Sequence, residues 1–93
     1  MNLTEEQLNE VEELAGLFFS PEEIAVNLEL DQEETEYFSE AIECKSRAYF
    51  VKAYYKGRIS TEIELRKAIK QSAMNGSSPS QQMMLNYLKE TRR

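Results

Sequence analysis

Ninety-three residues, 30% of them charged, suffice for one small domain or one domain with an arm. The lone cysteine, Cys44, excludes an internal disulfide, the absence of histidine removes the usual zinc and dyad ligands, and no apolar run approaches a membrane span. The net charge of −6 conceals a division, because residues 1–44 hold fourteen acids and no Lys or Arg, whereas residues 45–93 hold all eleven bases and only Glu62, Glu64 and Glu90, giving −14 and +8.

Strand signals are almost absent, so the chain reads as all-α. Thr4-Glu5-Glu6-Gln7 fits a capping box and predicts a helix from Glu5 to about Leu17, with Leu8, Val11, Leu14, Ala15 and Phe18 on one apolar stripe. Ser20-Pro21-Glu22-Glu23 predicts a second start: a serine N-cap, a proline where no N–H is needed, and two acids at the positive end of the helix dipole. That helix is short, with Ile24, Ala25 and Leu28 inward. Asp31 then caps a third helix from about Gln32 to Cys44, with Phe38, Ala41 and Ile42 inward and Cys44 read as a small buried residue.

From about Ser46 to Ala73 the only breaker is Gly57, which costs ~1 kcal/mol inside a helix and is therefore tolerated. One long helix is expected. Tyr55, Ile59, Ile63 or Glu62, Leu65, Ile69 and Ala73 form a seam near heptad spacing, read as packing on Met84, Leu85 and Leu88 or additionally as an oligomer interface. Asn75-Gly76 supplies a left-handed stop, and Ser78-Pro79 begins the last helix. The expected architecture is an N-terminal trihelical helix-turn-helix unit, residues 1–44, followed by a basic long-helix hairpin, residues 45–93.

Ile24-Ala25 within a short helix, then a brief turn and another helix, is a helix-turn-helix pattern, since an alanine there lets two helices pack at a steep angle. A trihelical core with no nucleic-acid role shows the same pattern. The third helix carries Glu33, Glu34, Glu36, Glu40 and Glu43, the wrong sign for a duplex bearing one phosphate charge per ~1.7 Å. Any DNA contact is therefore expected from the bases: Lys45, Arg47, Lys52, Lys56, Arg58, Arg66, Lys67 and Lys70, with Lys89, Arg92 and Arg93 as further positively charged positions. For each of these singly, an ordinary solvated helix face is the competing reading. Tyr49, Tyr54 and Tyr55 could stack on bases, though core or interface tyrosines are commoner.

The run from Ala53 to Arg93 resembles the phage terminase small subunit family. The features are Ile24-Ala25, then Tyr54-Tyr55-Lys56-Gly57-Arg58, Leu65-Arg66-Lys67 and Gly76-Ser77-Ser78-Pro79, in the family's order. The resemblance implies a DNA-packaging protein that binds double-stranded viral DNA, forms a ring-like homo-oligomer and regulates the terminase large subunit. The acidic third helix departs from that pattern, so the family's DNA contact does not carry over onto Gln32 to Cys44. Neither a cofactor nor a metal is implied, because no phosphate loop, nucleophile elbow or calcium loop is present, and no enzymatic activity is expected. The acidic and polar N-terminus does not read as a signal peptide, which makes a cytoplasmic location, in the host cell if viral, the expectation. Two other readings stand beside the first. One is an acidic interaction module, a structural or inhibitory phage protein binding a basic protein partner. The other is a small transcription regulator, which would need duplex binding as a dimer.

Overall fold

A computed structural model describes residues 1–76 and 78–91, and its described residues form five helices and no strand. They are α1 (Glu5–Gly16), α2 (Pro21–Asn27), α3 (Gln32–Glu43), α4 (Tyr49–Met74) and α5 (Ser78–Thr91). The protein is all-α. Two compact units divide it, Met1–Thr61 and Glu62–Arg93, with α4 contributing to both. The boundary expected after Cys44 therefore falls inside the first unit.

The first three helices are delimited by the same device at each end. Thr4, Ser20 and Asp31 each accept from the backbone N–H three residues on, and Gln7, Glu23 and Glu34 accept the cap's own N–H in return. Two otherwise orphaned donors are satisfied at every start. At the far ends the chain turns left-handed at Phe18, Glu29 and Lys45, with φ of 65°, 58° and 52°. The N–H groups of Phe19, Leu30 and Ser46 then reach back to the carbonyls of Leu14, Ala25 and Ala41 at 3.2, 3.1 and 3.0 Å, the bonding of a Schellman motif. None of the three left-handed residues is a glycine. Gly76, after α4, also turns left-handed at φ 92°.

The apolar stripes of these helices enclose the core. Val11 and Ala15 of α1, Ile24 and Ala25 of α2, and Phe38 and Ile42 of α3 are buried, as are Phe50, Val51 and Tyr54 in the first turns of α4. Phe50 stacks on Phe38 with ring centroids 5.0 Å apart, and Tyr37 and Tyr49 meet it edge-on at 5.9 and 6.2 Å. Aromatic pairs in these geometries add to the burial itself. The Tyr55 hydroxyl donates to the Ile42 carbonyl at 2.8 Å, tying the end of α3 to α4. This packing is why the first unit runs on past the acidic segment.

Two expectations need correction. Phe18 does not continue the α1 stripe: α1 stops at Gly16, and the left-handed turn leaves the ring 49% exposed. Cys44 is exposed: it is the C-cap of α3, at the end of the helix where the chain turns away at Lys45.

Candidate nucleic-acid interface

The eight basic positions expected to meet DNA divide between the two units. Lys45, Arg47, Lys52, Lys56 and Arg58 belong to the first, and Arg66, Lys67 and Lys70 to the second. Counted by unit, residues 1–61 hold fourteen acids and five bases, a net −9, and residues 62–93 hold three acids and six bases, a net +3. The sign of each half survives, but the first unit carries bases of its own.

Those bases differ in what they touch. The Arg58 guanidinium donates to the Tyr54 hydroxyl at 3.0 Å and lies over the rings of Phe18 and Tyr54, 5.2 and 5.8 Å from their centroids. It braces the first unit. Lys56 pairs with Glu12 at 3.5 Å, an exposed bridge worth little in water. Lys45 sits over the Tyr55 ring at 5.8 Å. Arg47 and Lys52 are exposed and have no ion pair among the described residues. In the second unit Arg66 pairs with Glu62 at 2.9 Å and stacks 4.0 Å from the Tyr87 ring centroid, while Lys67 and Lys70 are exposed. Arg58 and Arg66 are thus engaged with their own chain, and Arg47, Lys52, Lys67 and Lys70 present their charges outward. Lys89 is exposed as well, and Arg92, Arg93 and Ser77 lie outside the described residues.

The acidic helix offers no counterpart. Glu33, Glu36, Glu40 and Glu43 are exposed on α3, around an exposed Tyr37. A duplex laid along that face would meet carboxylates.

The expected apolar seam also separates. Tyr55 is half-buried and bonded to α3, Ile69 is buried, and Ile59, Ile63 and Leu65 are 55%, 48% and 43% exposed. Tyr54 belongs to the core, and the exposed Tyr49 hydroxyl accepts from the Leu3 N–H and donates to the Met1 carbonyl, holding the N-terminal segment. Within the second unit the last turns of α4 and the middle of α5 form a groove of about 480 Å³ lined by Lys70, Ala73, Met74, Gln81, Met84, Leu85 and Leu88. Gln81 donates across it to the Ala73 carbonyl at 3.1 Å. Periodicity placed Met84, Leu85 and Leu88 on one side of α5, but gave no sign that this side would stay half open.

Among the described residues no group of three His, Cys, Asp or Glu is placed to hold a metal ion, and no helix is long and apolar enough to cross a membrane. Compared with protein-family models, with curated proteins and with solved structures, the chain matches none of them significantly.

Proposed function

We propose that this chain is a terminase-small-subunit-like phage protein that binds double-stranded DNA, assembles with copies of itself and regulates the packaging motor's large subunit. The observation that carries the reading is the path of the chain. Two helices meet through buried Ile24 and Ala25 across a short turn, and a 26-residue helix then leaves their core for a second unit. In this reading α2 and α3 are the helix-turn-helix, and α4 with α5 is the hairpin that follows it.

DNA is held through phosphates rather than by α3. Phosphate contacts need only outward cations, which Arg47, Lys52, Lys67 and Lys70 supply, whereas base reading needs a helix that can enter a groove. The test is retention of a short duplex as a function of salt. The wild type should shift DNA at low salt and release it steeply as salt rises, and combined reversal of those four residues to Glu should abolish the shift while leaving helicity intact. No retention by the wild type at low salt sinks the reading.

The second reading, an acidic module for a basic protein partner, draws on α1 to α3, where every charged side chain is an acid. It requires the opposite result: no DNA shift at any salt, and a salt-sensitive complex with a basic protein.

A further inference from the structure

The first unit displays three consecutive large apolar side chains, Leu17, Phe18 and Phe19, which are 63%, 49% and 40% exposed. They form the turn between α1 and α2. Phe18 occupies a left-handed backbone position, φ 65°, that glycine would adopt freely and that a bulky residue rarely does. Its ring is half exposed and stands outside the core cluster, with the Arg58 guanidinium over it. Glu29 and Lys45 take the same left-handed conformation at the ends of α2 and α3, so the backbone itself is the helix stop; what sets Phe18 apart is the aromatic ring displayed there, between exposed Leu17 and Phe19.

The second unit has the complementary deficiency. Ile69 is the one buried apolar side chain among its described residues, and a two-helix unit of this size rarely sustains a core alone. Its groove, with Met74 72% and Leu85 51% exposed, presents a contiguous apolar face.

Charge decides what fits that groove. Lys70 lines it, Lys67 precedes it on α4 and Lys89 follows it on α5. A second groove would bring like charge against like. The Leu17–Phe19 turn is bracketed by Glu12 and Glu13 before it and by Glu22 and Glu23 after it. Glu12 is paired with Lys56, Glu23 caps α2 and Arg58 lies over Phe18, so four carboxylates stand against two cations and the exposed Glu13 and Glu22 carry the net negative charge. The turn would bring aromatic bulk to an apolar groove and carboxylates to its basic rim.

We propose that the Leu17-Phe18-Phe19 turn of one copy seats in the α4–α5 groove of a second copy. The contact is heterologous, so each association leaves one turn and one groove unfilled, and the assembly grows until rotation closes it. This deepens the self-assembly part of the proposed function and rests on that reading for its biological setting only.

The test uses two full-length variants. Phe18→Gly removes the ring and its contact with Arg58 while relieving the backbone, and the two effects offset, so its fold should be kept with a melting temperature close to that of the wild type. Leu85→Asp places a carboxylate in the groove. Light scattering across a concentration series should show wild-type association that weakens with salt, and roughly tenfold or greater weakening in either variant. Mixing the two variants should restore a one-to-one dimer and nothing larger, because each supplies the surface that the other lacks. A wild type that stays monomeric, a Phe18→Gly protein that associates like the wild type, or a mixture that stays monomeric overturns the contact. Duplex retention is read on the same samples: if DNA is retained but association is absent, this contact fails and the DNA-binding reading stands.

Discussion

Gly57 of α4 lies against the Glu12 backbone of α1 so closely that a Cβ at Gly57 would overlap the Glu12 carbonyl oxygen. One turn further along, a Cβ on Gly16 would stand 2.8 Å from the Thr61 hydroxyl oxygen and 3.2 Å from the Gly57 carbonyl oxygen. Two glycines thus let α1 and α4 cross at backbone contact. The residue that local propensity reads as a tolerated weakness in a long helix is what allows that helix to join the first unit.

Gly57→Ala should therefore destabilise the protein even though alanine favours a helix by ~1 kcal/mol. The obstacle is main chain and cannot rotate away, so α1 must move. A net loss of about 2 kcal/mol or more is expected by urea denaturation. An unchanged or higher midpoint would mean that the two helices do not approach this closely.

Glu29→Gly and Lys45→Gly should each stabilise the first unit. Both residues hold left-handed conformations that cost a side-chain-bearing residue roughly 1–2 kcal/mol, partly offset by the greater freedom of glycine in the unfolded chain. The net gain should be about 0.5–1 kcal/mol each. Gly76→Ala should move stability in the opposite direction, since φ at Gly76 is 92° and nothing crowds it. Thermal melts of the three proteins separate these signs.

Ser39 Oγ is enclosed and has no hydrogen-bond partner. An enclosed hydroxyl without a partner carries a desolvation cost that is not returned. Ser39→Ala should be neutral or stabilising by up to ~1 kcal/mol, and a clear loss of stability would show that the hydroxyl does have a partner.

Arg58 and Arg47 should part company when each is replaced by alanine. Arg58→Ala loses the bond to Tyr54 and the contact with Phe18, and should lower stability by roughly 1–2 kcal/mol. Arg47→Ala should leave stability unchanged and flatten the salt dependence of duplex retention by about one counterion. An equal effect of both on retention and on melting would refute the distinction.

Local signals in the sequence were enough to find all five helices and to fix where the first three begin. Thr4, Ser20 and Asp31 were readable as caps because a side-chain oxygen and an acid or amide three residues later form a closed local arrangement that needs no tertiary partner. Ile24, Ala25, Leu28, Phe38, Ala41 and Ile42 were readable as core because helical periodicity turns one face inward whatever it meets. The charge division was likewise visible, yet it misdirected the boundary. Charge records the solvent faces of helices, and the unit ends where packing ends, beyond Phe50, Val51 and Tyr54.

For the interface, the sequence determined which residues carry positive charge. The tertiary structure decided which of them remain outward, since Arg58 and Arg66 are engaged by Tyr54 and by Glu62 with Tyr87, residues of their own chain. The sequence by itself determined the all-helical character, the capped starts of the first three helices and the acidic sign of the first segment, because hydrogen bonds and periodicity within a few residues settle them. Only the tertiary structure decided that Gly57 is a crossing point, that Phe18 is displayed rather than buried, and that α5 leaves a groove half open. Each of those depends on which surfaces meet across long stretches of chain, and local spacing does not specify that.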